Sequence, residues 1–357
     1  MPAGGFRIDR LVSILQRRRI DMFLCVRLTN IRYLCGFSGS DGILLVSPGG
    51  ATFLTDGRYE EQSRAEVAGA EVVVSDRKWK EASRRIRRAR PARIGYESRH
   101  LTVEQFRLLS RKDENKWVPL PDPVEELRMR KDREEILAIE NSAVVASGAL
   151  LSVLSGGFRG RSESEVAADI ERKMKALGAE ETSFRPIVAS GPRAAMPHAV
   201  PISRRIGAGE AVIVDFGARK AGYCSDETVT LLPERPSSAI RRAYDAVRRA
   251  QDAGIRALRP GTPCREVDGR VRESLDRSGY LKYFVHSTGH GVGLDIHERP
   301  SLSVRSGDRL AEGMVVTVEP GVYLPGEGGI RLEDMLRIAG TRGERITYLP
   351  KTGSRLV

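Results

Sequence analysis

Arg205–Gly217 aligns without a gap on Arg309–Gly321. Each segment contains an apolar, strand-like run closed by an acid, Val-Ile-Val-Asp215 in the first and Val-Thr-Val-Glu319 in the second. The echo extends upstream. Ser162-x-x-Glu165 carries a capping-box signature ahead of a helix predicted over 163–178. Thr262-Pro263 offers an N-cap, with proline at the first helical position, ahead of a helix predicted over 264–278. His198-Ala-Val-Pro201 and His297-Glu-Arg-Pro300 repeat as well. Two copies are too few for a solenoid, which buries its faces by stacking several units. The chain is therefore expected to close an α+β domain with an internal pseudo-two-fold duplication, each half supplying one acidic hairpin.

Each half holds a second acid. A turn centred between Lys220 and Ala221 would set Asp215 directly opposite Asp226, and a loop centred near Gly326 would set Glu319 opposite Glu333. Like charges at cross-strand distance destabilise a sheet, so positive charge is expected between them. With His290, which lies between the hairpins in sequence, the four carboxylates make a hard, oxygen-rich set. It suits two divalent ions, Mn, Co, Zn or Fe, better than a thiolate zinc site. Asp226 and Glu333 are the candidate bridging ligands; Asp215 would complete one ion's shell, and His290 and Glu319 the other's. Such a pair can share a hydroxide that attacks a carbonyl while Glu319 shuttles the proton.

Four of the five histidines fall in or near this set: His198, His286, His290 and His297. His100, in the first domain, is given no role. The glycines of His286-Ser-Thr-Gly-His290-Gly-Val-Gly are read as letting backbone approach a ligand closely. The run lacks the spacing and the following helix of a dinucleotide fingerprint, and His297-Glu-x-x-Ser is not an H-E-x-x-H zinc site. His198 and His297 are expected as catalytic donors outside the metal shell. Arg331 shares a strand face with Glu333 and is expected to orient it or to bind substrate. His286 is expected to support the metal shell or contact substrate.

At 357 residues the chain is long enough for two domains. Pro119-Leu-Pro-Asp-Pro123 marks the boundary, since three prolines in five residues are read as excluding regular structure. Residues 1–122 read as an α/β domain, and 123–357 hold every candidate ligand. No apolar run reaches the length of a membrane span, the nearest being Ala143 to Phe158, and the first residues lack a secretory signal. Cys25, Cys35, Cys224 and Cys264 are scattered, with no C-x-x-C, as suits a reducing cytoplasm. The net charge of +12 raises nucleic acid as a partner. Much of that charge lies in the segment 77–93, which reads as a helix with one apolar stripe and a solvated basic face, and no nucleic-acid motif accompanies it.

The motifs V-D215-F-G, Y-C-S-D226, S-T-G-H290-G-V-G-L-D-I-H297-E-R-P, V-E319-P-G and G-I-R-L-E333-D resemble those of the pita-bread metallopeptidases, the fold of methionine aminopeptidase, aminopeptidase P, prolidase and creatinase. N30-I-R-Y-L-C-G-F-S-G-S-D-G and L54-T-D-G-R-Y are similar to the creatinase-type N-terminal domain, which methionine aminopeptidases lack. The resemblance implies hydrolysis of the bond between an N-terminal residue and proline, usually with Mn or Co at the five positions above. It assigns proton donation and substrate contact to His198 and His297, and a pocket-lining place to His286. It further implies a homodimer or larger assembly in which a neighbour's N-terminal domain closes the site.

Two positions depart from the family pattern. In Ser225-Asp226-Glu227-Thr228-Val229-Thr230, members often carry an apolar residue after the aspartate and an arginine before the last threonine. Neither position is a ligand, so the departure bears on substrate preference. A creatinase-like C–N hydrolase, which works without metal, and a non-catalytic interaction module are the rival readings; the intact acids oppose both. Dipeptidase and aminopeptidase remain alternatives, with first-domain details closer to aminopeptidase P.

Overall fold

The computed structural model describes residues 3–110 and 116–351. Its contacts divide the chain into two compact units, Met1–Arg128 and Met129–Val357.

The first unit is built on a six-stranded mixed sheet of β1 (Met22–Cys25), β2 (Ile43–Ser47), β3 (Gly50–Thr55), β4 (Glu71–Val74), β5 (Ile94–Glu97) and β6 (Trp117–Leu120), in the order β4-β3-β2-β1-β5-β6. Helices α1 (Ala3–Arg17), α2 (Leu28–Cys35), α3 (Glu60–Glu66), α4 (Lys78–Ala89), α5 (Val103–Ser110) and α6 (Glu125–Arg128) complete it. The proline-rich boundary is not free of regular structure, because β6 contains Pro119. It can do so as an edge strand, where a missing N–H costs no central ladder bond. The basic segment forms α4, which buries Ala82 and Ile86 and pairs Arg84 and Arg85 with Glu81 and Glu71. Asn30 of the Asn30-Ile31-Arg32-Tyr33 motif is buried. It donates to Glu97 (2.6 Å) and Glu125 (2.8 Å) and accepts from Arg128 (2.7 Å), tying α6 to α2 and β5.

The second unit shows the duplication directly. α7 (Arg133–Leu154) packs on α8 (Glu163–Ala176), and α9 (Ser238–Ala257) packs on α10 (Cys264–Arg277). In the first half a short strand β7 (Glu181–Thr182) pairs with the hairpin extension β10 (Ala218–Lys220) and β11 (Tyr223–Cys224), while β8 (Ile187–Ser190), β9 (Val212–Phe216) and β12 (Glu227–Leu231) form an antiparallel sheet ordered β12-β9-β8. In the second half β13 (Gly289–Gly291), β14 (Glu298–Leu302), β15 (Val315–Val318), β18 (Asp334–Ala339) and β19 (Arg342–Arg345) form one sheet, and β16 (Gly321–Leu324) pairs with β17 (Gly328–Arg331). Equivalent isolated bridges join Ser162 to Arg205 and Pro263 to Arg309. Equivalent guanidinium bonds run from Arg205 to the Gly160 carbonyl (2.6 Å) and from Arg309 to the Gly261 carbonyl (2.8 Å).

Strand alternation separates core from site. Val212, Val214 and Phe216 enter a core with Val166, Ile170 and Met174 of α8, and Val316 and Val318 enter another with Val267 of α10 and Leu336. Asp215, Thr317 and Glu319 are thereby turned to the opposite faces. Ser162 and Glu165 form the anticipated capping box, but Thr262 does not cap its helix. Pro263 occupies the N-cap with extended backbone and no side-chain bond, because the bridge to Arg309 holds it there.

One expectation about length also changes. Among the described residues, α7 is long and apolar enough by composition to cross a membrane, since its scattered serines and single glycine scarcely lower its average hydropathy. It is a core helix here, with Ile139, Ala146, Leu150 and Val153 buried.

Candidate metal centre

The first hairpin turns one residue later than the sequence suggests. Ala221 (φ 51°) and Gly222 (φ 79°) both have positive φ, as the two central residues of a type I′ turn must. The register therefore sets Asp215 opposite Thr228, and Asp226 is its diagonal neighbour on the same face instead of its direct partner. The second hairpin keeps the expected register: Val318 pairs with Asp334 and Gly321 with Arg331, so Glu319 and Glu333 face each other between the two strand pairs.

Asp215, Asp226, His290, Glu319 and Glu333 all line one cavity of about 540 Å³, together with His198, His286, His297 and Arg331. Donor atoms of Asp226, His290 and Glu333 lie within 4.8 Å of one another. His290 Nε2 is 3.5 Å from Asp226 Oδ2 and 3.4 Å from Glu319 Oε1. Its Nδ1 faces the Gly291 carbonyl at 3.1 Å and so carries the ring proton, leaving the Nε2 lone pair directed at two carboxylates. Burial, followed by His297, lowers the His290 pKa to about 4, so the ring is neutral near pH 7.

The carboxylates respond in the same sense. Burial, then the charges of Glu333, Asp215 and Glu319, pushes Asp226 well above its ordinary range. Burial, then Glu319 and Asp215, does the same to Glu333. Glu319 is raised to about 8, chiefly by burial, with Arg331 opposing. Asp215 Oδ1 and Glu333 Oε1 are buried and have no hydrogen-bond partner among the described residues. Acceptors facing acceptors, with buried oxygens left unpaired, are what a cation pair would satisfy, and the donor set fits hard divalent ions.

Neighbouring side chains hold this set in place. Thr228 Oγ1 donates to Glu333 Oε2 at 2.7 Å, and Thr317 Oγ1 accepts from the His290 amide (3.0 Å) while lying 3.3 Å from Glu319 Oε1. Arg331 is buried and reaches Asp215 Oδ2 (2.6 Å), not Glu333; its other nitrogens bond Thr228 Oγ1, the Pro197 carbonyl and the Tyr323 hydroxyl. Tyr323 OH also meets His286 Nε2 at 2.9 Å, so a chain of bonds runs from His286 to Asp215. His198 and His297 are exposed at the cavity, and the His290 and His297 rings sit 4.4 Å apart between centroids.

Sequence reasoning missed Tyr323, Thr228 and Thr317. Alternation along Glu319-Pro-Gly321-Val-Tyr323 puts Tyr323 on the face of Glu319, which is the signal that could have found it. The glycines flanking His290 serve another purpose than the one inferred. A Cβ on Gly289 would stand 2.1 Å from the Thr317 carbonyl oxygen, and one on Gly291 would stand 2.3 Å from that of Arg299. They let strands close on His290 from both sides.

A duplicated α+β unit with paired acids lining one cavity defines a pita-bread hydrolase of the metal-dependent kind. Residues 138–339 match metallopeptidase family M24, and residues 7–130 match the creatinase/prolidase N-terminal domain. The chain is 35% identical over 344 residues to an Xaa-Pro dipeptidase of Pyrococcus furiosus, covering 96% of this chain and 97% of that protein. In structure it is similar to an Xaa-Pro dipeptidase from Bacillus anthracis (TM-score 0.95, 38% identity, 98% and 99% of the two chains covered). It is also similar to an X-Pro aminopeptidase from Thermotoga maritima (TM-score 0.89, 32% identity, 98% and 99% covered). The chain belongs to metallopeptidase family M24, a description that implies metal ions.

Proposed function

We propose that this chain is a two-metal exopeptidase that cleaves the bond between an N-terminal residue and a following proline. The observation that carries the reading is the convergence of Asp226, Glu333 and the Nε2 of His290 within 4.8 Å, with Glu333 Oε1 buried and lacking a hydrogen-bond partner among the described residues. Asp215, Asp226, His290, Glu319 and Glu333 would hold the ions, with Asp226 and Glu333 shared. Manganese is the first candidate by donor hardness, cobalt, zinc and iron being the others. When bound, the ions would polarise the scissile carbonyl and lower the pKa of an attacking water.

The chain's own residues supply the rest. Glu319 accepts a proton from the attacking water and passes it to the leaving proline nitrogen, with Thr317 fixing its orientation. His198 and His297 stand at the open side of the cavity, where they can donate to the peptide carbonyl and amine. Phe184, Pro186, Ile187 and Val200 give the same cavity an apolar wall suited to a pyrrolidine ring. Arg331 clamps Asp215 and leaves the floor rigid. His286 is held through Tyr323 as a wall residue facing substrate.

The test assays EDTA-stripped protein, resupplied with Mn or Co, against an Xaa-Pro dipeptide, an Xaa-Pro-Yaa tripeptide and an Xaa-Ala control. Metal-dependent cleavage of a proline substrate is expected, and the ratio of the first two separates dipeptidase from aminopeptidase. Turnover confined to the alanine control would sink the specificity, and full activity in EDTA would sink the metal reading.

A further inference from the structure

Behind the acidic floor lies a second charge cluster facing the other way. Glu227 follows Asp226 and Asp334 follows Glu333, so strand alternation turns both away from the cavity. Each is 1% exposed, and between them sits Lys351, 6% exposed. Lys351 Nζ lies 2.6 Å from Glu227 Oε1 and 3.6 Å from Asp334 Oδ1. Glu227 also accepts from Ser147 Oγ (2.7 Å) and the Leu349 amide (3.1 Å). Asp334 accepts from Thr347 Oγ1 (2.6 Å) and Gln251 Nε2 (3.0 Å), with Arg345 Nε at 3.4 Å.

The cluster is placed where it can act on the site. β12 and β18 begin directly after Asp226 and Glu333, one in each half of the duplication, and they belong to different sheets. The bond from the Glu333 amide to the Thr228 carbonyl (3.0 Å) is a backbone link between these two segments. A cation shared by Glu227 and Asp334 ties the same two segments from behind. Stability alone does not call for it, because replacing a buried ion pair with well-packed apolar residues is often neutral or stabilising.

We propose that Lys351 is a positioning residue for the metal centre: its ammonium, shared by Glu227 and Asp334, holds the strands carrying Asp226 and Glu333 at one fixed separation. The proposal rests on the metal reading above.

The test titrates Mn into EDTA-stripped, full-length protein by calorimetry, with folding followed by circular dichroism. Lys351→Met is expected to weaken Mn binding by about tenfold or more, the range seen when a partner behind a metal ligand is lost, and Lys351→Arg to restore it to within about threefold. The double variant Glu227→Leu/Lys351→Met leaves no unpaired Glu227, so it is expected to recover thermal stability while its Mn binding stays weak. If Lys351→Met fails to fold, the double variant carries the test. Wild-type affinity in a folded Lys351→Met, or in the double variant, would overturn the proposal alone. Absence of Mn binding by the wild type would overturn it together with the metal reading.

Discussion

Arg331 Nη2 donates to Asp215 Oδ2 at 2.6 Å, so an arginine from the second half of the duplication clamps an acid from the first. Both side chains are largely withdrawn from solvent, and the guanidinium is also committed to Thr228, Pro197 and Tyr323. Arg331→Met would strand a buried carboxylate and leave the Pro197 carbonyl and Tyr323 hydroxyl without this donor. Losing one partner of a buried pair costs about 3–5 kcal/mol. Urea unfolding of the metal-free protein should show a loss of that order. Arg331→Lys should recover only part of it, because an ammonium cannot reproduce the planar fork. Equal stability of wild type and Arg331→Met would show that the clamp is energetically idle.

Asp226→Asn tests the proposed shared ligand. Burial and Glu333 push the metal-free carboxyl of Asp226 well above its usual range, which favours its neutral form, and the amide mimics that form. The metal-free variant should therefore lose little stability relative to metal-free wild type, while metal loading and peptidase activity disappear together. Two metals per chain in the variant, measured by elemental analysis, would remove Asp226 from the bridging role.

Much of this site was legible because register in the second hairpin is simple: a loop centred on Gly326 sets Glu319 against Glu333, and the structure keeps that pairing. The first hairpin was harder. Its turn requires positive φ at Ala221, a conformation alanine seldom adopts, so a centre one residue earlier looked equally good. Both readings leave Asp215 and Asp226 on one face, which is why the acidic cluster survived the error. Tyr323 went unnoticed because a tyrosine in a strand usually signals packing. Lys351 was invisible for a different reason: it lies in an irregular segment, and only tertiary folding brings it behind Glu227 and Asp334. Pro119 misled in the opposite direction, since sequence does not reveal that its strand lies at a sheet edge.

The pH dependence of the metal-free protein follows from the raised carboxyls. Glu319 has a folded-state pKa of about 8 against an ordinary 4.5, and Asp226 and Glu333 shift the same way. Their stabilising contribution is complete below the unfolded value and is lost as pH rises through the folded one. His286 and His290 are lowered to about 4, so their opposing effect falls between pH 6.5 and 4. Between pH 7 and 8, above the histidines' range and below the ordinary 9.0 of the buried cysteines, the carboxyls dominate. Stability of the EDTA-treated protein should fall there by up to about 1.4 kcal/mol per pH unit for each proton retained. Added Mn should flatten the slope and release protons, which calorimetry in buffers of different ionisation enthalpy would detect. A metal-free melting temperature that rises across this window would contradict the assignment.

His198→Ala separates donor from ligand. His198 lines the cavity but is exposed and belongs to no hydrogen bond found among the described residues. Metal content should be unchanged while turnover falls by about 10²–10⁴-fold, the usual range for general acid–base groups. Loss of metal in this variant would make His198 a ligand.

Gly289→Ala probes the strand closure that sets His290. An alanine Cβ would stand 2.1 Å from the Thr317 carbonyl oxygen and 2.8 Å from Thr317 Oγ1, so β13 and β15 must separate locally. Thr317 Oγ1 accepts from the His290 amide and also contacts Glu319, so both residues move when it moves. They are the proposed ligands of the same ion, whereas Asp215 is set by β9 and held by Arg331. The methyl group should therefore weaken one metal by at least about tenfold, as displaced supporting shells do, and leave the other near wild-type affinity. Overpacking of this kind also costs about 1–3 kcal/mol of stability. Thr317→Val, which removes the hydroxyl without forcing the strands apart, should reproduce the metal defect in milder form. Two-step Mn titrations of both variants decide the matter: equal weakening of both ions would mean that His290 and Glu319 do not serve one ion as a unit.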